Sequence, residues 1–198
     1  MDETRNKEGT KASAVAISAN CILTALNIIV GMLSGSYSLV AEGIHTFSDI
    51  ITSIIAYIGF KIGQKPADEN HPRGHGRAEA IGGLIILLFL GIIGYEIIET
   101  AIEHLLNPSL IKAPSIYAAL MAFFGIIINL VISRYIINKG KEINSPAIVA
   151  DGQHQRTDIY SSAVVLVGIV ASNMGYPILD PIVGLFIGIL ILRTAYKS

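Results

Sequence analysis

Charge is scarce in this chain. Of its 198 residues only 15% are Asp, Glu, Lys or Arg, while 52% are hydrophobic and the mean hydropathy is +0.61. A water-soluble domain carries charge on about a quarter of its residues, so a solvated surface over the whole molecule is excluded. Cysteine is scarcer still. Cys21 is alone, which rules out an internal disulfide and a multi-cysteine metal cluster; within its apolar run it reads as a small packing residue. No H-E-x-x-H, nucleophile elbow or phosphate loop occurs. No cleavable signal peptide is expected: the polar stretch from Met1 to Lys11 is mixed in charge, and the apolar run after it is long enough to span a bilayer.

What is present is six apolar runs of the length a bilayer demands, about 20 residues each. They cover Ala12–Leu33, Ser38–Ile62, Ala78–Ile102, Pro114–Asn138, Pro146–Asn173 and Pro177–Ala195. Turn chemistry divides them: Ser34-Gly35-Ser36, Asn107-Pro108, Asn144-Ser145-Pro146 and Asn173 to Pro177. Ser145 reads as an N-cap with Pro146 at the first helical position. The expected fold is an all-α integral membrane bundle of six transmembrane helices, preceded by a tail over residues 1–11. Of the 14 Lys and Arg, this topology leaves only Lys112 on one side and places the others on the opposite side. By the positive-inside rule that richer side is cytoplasmic and holds both termini.

One phrase occurs twice, Val40 to Ser53 and Val149 to Ser162, with the pattern V-A-[ED]-G-x-H-x-x-x-D-I-x-[ST]-S. A histidine and an aspartate four apart share one face of a helix. His45 and Asp49 therefore form one pair, and His154 and Asp158 another. At about 1.5 Å per residue, Asp49 lies roughly 16 Å from the outer end of the second span and Asp158 roughly 18 Å from the inner end of the fifth. Both fall near the middle of a hydrocarbon core about 30 Å thick. Buried ionisable groups cost so much there that they usually mark a transport pathway rather than packing. Two imidazoles and two carboxylates suit a divalent metal such as Zn²⁺. Glu42 and Asp151, one turn before the histidines, read as partners that fix the imidazoles or as charges on the access path. Asn20, Thr24 and Asn27 on the first span and Asn129 and Ser133 on the fourth form polar stripes suited to interhelical hydrogen bonds or cavity lining. In the link after the second span, Asp68, His71 and His75 are either a second metal site at the cytoplasmic mouth or incidental loop residues.

These residues resemble the cation diffusion facilitators over nearly the whole chain. The resemblance rests on six spans, the paired motifs in the second and fifth, the link Asn70 to Glu79 with its two histidines, and Asp180-Pro181. It implies a transport site at His45, Asp49, His154 and Asp158, and a second metal site at Asp68, His71 and His75. It further implies a homodimer in the cell membrane that exports metal from the cytoplasm in exchange for protons, with Zn²⁺ first and Fe²⁺, Co²⁺ or Mn²⁺ as alternatives. No enzymatic step and no nucleic acid are expected; the alternative from another class is a metal-dependent membrane enzyme, which needs an open coordination position. The family's usual cytoplasmic C-terminal domain is expected to be absent, since the chain stops at Ser198.

Overall fold

A computed structural model describes residues 2–66, 72, 74–107, 109 and 111–197, apart from the side chains of 2–6, 79 and 197. Among the described residues there are six helices and no strand: α1 (Asp2–Ser34), α2 (Tyr37–Gly63), α3 (Arg77–Leu106), α4 (Ile116–Glu142), α5 (Pro146–Asn173) and α6 (Leu179–Lys197). Five of them are long and apolar enough to cross a membrane. α5 is as long, at 28 residues, but Asp151, His154, Arg156 and Asp158 lower its apolarity. Large apolar side chains such as Ile22, Leu33, Leu88 and Val167 face outward from the bundle. That is the inverse of a water-soluble surface and the expected dress of a multi-pass membrane protein. Cys21 also faces outward rather than packing inside.

The stretch read as a tail is, over residues 2–11, the first turns of α1. No proline interrupts it, and it has something to lean on. Gly9 lies against Ile143 and Ile148 at the start of α5, and Glu8 reaches Lys139 at 3.6 Å. α6 starts two residues later than the turn chemistry suggests, at Leu179.

α1–α2 and α4–α5 are helical hairpins of one design. The structure carries the repeat well beyond the motif, at a constant offset of 109 positions from Val40 to Val149. Gly35 and Asn144 occupy equivalent turn positions at φ 72° and 51°. Each is followed by a serine N-cap, Ser36 for Leu39 N and Ser145 for Ile148 N. Ser36 N donates to Gly31 O at 3.0 Å and Ser145 N to Gly140 O at 2.8 Å, the closing bond of a Schellman turn in both. The motif glycine does the same job twice. A Cβ on Gly43 would stand 2.7 Å from Ile28 Cγ1, and one on Gly152 would stand 2.8 Å from Ile137 Cγ1, so neither helix pair can close on a side chain there. Gly43→Ala and Gly152→Ala are each expected to cost about 1–3 kcal/mol through overpacking. The reading is a lower thermal unfolding midpoint in the same detergent; two unchanged midpoints would refute the close approach.

Because three helices separate the two turns, the hairpins point in opposite directions through the bundle. Contacts agree with this. Ser115 N, at the start of α4, donates to Ser34 O in the first turn at 2.9 Å. Glu8 and Gly9 meet the second turn's neighbours at the other end. Asp180, in the first turn of α6, reaches beyond its own helix. It is 2% exposed and accepts from Ser36 Oγ at 2.8 Å, from Tyr37 N at 2.6 Å and from Ser38 Oγ. A carboxylate of α6 thereby caps the N-terminus of α2, where the helix dipole favours it, and pins the α1–α2 turn to α6.

Candidate metal centre

The apolar core is built by Leu39, Leu90, Ile97, Val165, Ile169 and Ile187, which join α2, α3, α5 and α6. It leaves the polar faces of α2 and α5 turned toward each other near mid-bundle. α2 supplies His45 and Asp49, one turn apart, with Nε2 to Oδ2 at 4.0 Å. α5 supplies Asp158. One ligand atom from each of His45, Asp49 and Asp158 lies within 4.8 Å of the others, and all three side chains are half-buried. Ligands about 2.1 Å from a zinc ion stand about 3.4 Å apart in a tetrahedral set. Closing this trio on one ion needs its widest separation to shorten by up to about 1.4 Å.

His154 stands apart from the trio. It is exposed in the wall of the cavity onto which the trio faces, one turn along α5 from Asp158. Three of the four residues singled out by the repeated motif are thus drawn together, and the fourth lines the same space. In the second candidate set, Asp68 and His71 lie outside the described residues; His75 is half-buried, with Nδ1 3.3 Å from Pro66 O.

The cavity measures about 1000 Å³ and is lined by α1, α2, α5 and α6. Its walls include Ser13, Tyr57, Asp151 and Arg193. These lie toward the end of the bundle that carries the α4–α5 turn and the basic residues, so the trio is reached from that end. On the opposite side of the trio the helices are shut. Glu42 is 3% exposed, and of the two roles the sequence left open its hydrogen bonds do not support holding an imidazole. Its Oε1 accepts from Ser161 Oγ at 3.1 Å and Ser162 Oγ at 2.6 Å, joining α2 to α5. A second, much smaller cavity of about 10 Å³ lies beside it, lined among others by Asn27, Asn129 and Ser162. Asn20 faces the large cavity, Asn129 the small one, and Thr24 and Ser133 are buried. The polar stripes therefore line cavities or sit within the bundle. Glu96, Glu99 and Glu103 are exposed on α3.

Sequence reasoning passed over the serines and threonine at the end of the motif, Thr52, Ser53, Ser161 and Ser162. The signal was available: the same offset that relates the two motifs also relates Asn20 to Asn129, Thr24 to Ser133 and Ser36 to Ser145.

Residues 13–198 match the family described as the cation efflux transmembrane domain. The uncharacterized transporter MJ0449 of Methanocaldococcus jannaschii is 37% identical over 96% of this chain and 67% of its own length. The manganese efflux system protein MneS of Bacillus subtilis is 34% identical over 96% of this chain and 65% of its own. The magnetosome protein MamB of Magnetospirillum gryphiswaldense is 38% identical over 89% of this chain and 59% of its own. The chain thus spans about two-thirds of the length of these relatives or less.

Proposed function

The chain belongs to the cation efflux family, and from that premise we propose that it exports a divalent metal, Zn²⁺ foremost, from the cytoplasm in exchange for protons. The observation that carries this reading is one imidazole and two carboxylates from two facing helices, drawn within 4.8 Å of one another beside a cavity open to one end of the bundle. In this reading the open end is the cytoplasmic one, because it gathers the Lys and Arg residues. Metal enters from there and meets His45, Asp49 and Asp158, and His154 completes a near-tetrahedral set by turning in from the cavity wall. Protons compete for the imidazole lone pairs, so an arriving proton displaces the metal and a departing one readmits it. Rocking of the paired hairpins alternates the end from which the site is reached. The working unit is a homodimer in the cell membrane. No covalent step enters the reading. Asp68, His71 and His75 serve as a second metal site at the mouth.

Proteoliposomes test it directly. Radiozinc offered outside vesicles with an acidic lumen is expected to accumulate, and accumulation is expected to vanish when an ionophore collapses the pH gradient. Zinc entry indifferent to the gradient would sink the exchange and leave a passive channel. One observation favours a second metal: a relative 34% identical is named as a manganese efflux protein. Two of the three clustered ligands are carboxylates, which suit manganese well. Unlabelled Mn²⁺ competing better than unlabelled Zn²⁺ in the same assay would transfer the assignment to manganese.

A further inference from the structure

The two hairpins are equivalent in sequence, inverted in direction, and in different states. At the offset of 109, Glu42 corresponds to Asp151, Thr52 to Ser161 and Ser53 to Ser162. On one side of the metal-ligand trio these groups are engaged: Glu42 Oε1 accepts from Ser161 and Ser162 and ties α2 to α5. On the other side they are parted: Asp151, Thr52 and Ser53 all line the 1000 Å³ cavity, with Asp151 exposed. The local geometry is otherwise preserved. Thr52 Oγ1 lies 3.0 Å from Asp49 O as Ser161 Oγ lies 2.8 Å from Asp158 O, and the single Ser161 proton is shared between that carbonyl and Glu42 Oε1.

The cavities tell the same story. Six of the nine residues around the 10 Å³ cavity have their repeat equivalents in the wall of the large one. From α2 and α5, Glu42 corresponds to Asp151, Thr46 to Gln155 and Ser162 to Ser53. From α4 and α1, Ala122 corresponds to Ser13, Gly125 to Ala16 and Asn129 to Asn20. The small cavity is the collapsed counterpart of the large one.

We propose that Glu42 and Asp151 are the positioning residues of an exchanging gate: Glu42 holds Ser161 and Ser162 while the site faces the basic end, and Asp151 holds Thr52 and Ser53 while it faces the other. The proposal rests on the transport reading for its purpose, but not for its geometry. A carboxylate in a bilayer without donors is costly, so one gate's release is best compensated by the other's closure. Similar hydrogen bonds are lost and gained, which keeps the two states close in free energy and lets a metal or a proton choose between them. Glu42 Oε2 accepts no hydrogen bond among the described residues; the closed gate is held through one oxygen and is correspondingly easy to open.

Cysteine pairs in a Cys21→Ser background, in proteoliposomes, test the exchange. Glu42→Cys with Ser162→Cys is expected to cross-link with iodine in the resting protein. Ser53→Cys with Asp151→Cys is expected to cross-link slowly at rest and at least about fivefold faster while zinc is cycling, as a shift in the populations of two states requires. Each disulfide should stop zinc flux, and reductant should restore it, which separates a trapped gate from a misfolded protein. Failure of the second pair to cross-link during demonstrated flux overturns the proposal, as does a four-cysteine variant in which both disulfides form in one molecule. A reporter independent of cross-linking is Ala122→Cys beside the small cavity: Glu42→Ala should speed its alkylation by an impermeant reagent at least about fivefold and Asp151→Ala should not. Equal effects of the two substitutions would reduce both residues to structural roles. Mutually exclusive cross-links in a protein that moves no zinc would remove the transport reading and leave the gate standing.

Discussion

Asp158→Ala is expected to lower zinc flux at least about tenfold, with Asp49→Ala close behind, because each removes an anionic ligand from a site that has only three or four. Asp158 matters most for a geometric reason. It is the sole residue of α5 in the clustered trio, whereas α2 contributes two. Without it α5 is left with His154 alone, which stands outside the trio on the cavity wall, and the site couples the positions of α2 and α5 far more weakly. Asp158→Asn, which keeps the shape, is expected to lose flux nearly as far, since a neutral amide does not balance the dication and ligates it poorly. The measurement is radiozinc uptake under a pH gradient, with an unfolding midpoint recorded on each variant. Flux preserved in Asp158→Ala would end the account of the site.

The second large effect is on binding. Zinc affinity of the purified protein is expected to fall at least about tenfold between roughly pH 7.5 and pH 5.5, because a metal takes imidazoles only in their neutral form. The sign follows from charge. Protonation converts a ligand into a cation, so affinity is present on the alkaline side and is lost as pH falls. Calorimetry in buffers of different ionisation enthalpy counts the protons released. His45→Ala is expected to weaken resting-state binding more than His154→Ala, since His45 is within the trio and His154 is on the cavity wall. A pH-independent affinity would leave the histidines outside the coupling, and a larger loss from His154→Ala would show that the resting protein already holds the metal with all four.

Much of this was readable from the chain. Five of the six helices follow from apolar run length, because a bilayer imposes one length on every span; α5 is less apolar, yet its serine cap and N-terminal proline fixed its start and it matched its expected bounds at both ends. The repeated H-x-x-x-D was legible because chain direction sets the depth of each copy. Run length was less informative at residues 2–11, where a polar sequence becomes helical by leaning on another hairpin, a contact between residues more than a hundred positions apart. The second role of Asp180 was out of reach for a related reason. Its partners, Ser36, Tyr37 and Ser38, are remote in sequence, and a carboxylate near a helix start looks the same whether it serves its own helix or a neighbour's.

The sequence by itself determined the apolar environment, the number of helices and the paired motif that carries the clustered ligands, since periodicity and hydropathy are local and act one residue at a time. Only the tertiary structure decided which face of each helix is covered and from which end the site is reached. It also decided that Glu42 is bonded while its counterpart Asp151 is free to solvent. Two equivalent stretches cannot differ by sequence rules, which treat them alike. They differ because α2 and α5 can close at one end or the other but not at both, and that choice belongs to the packing of whole helices.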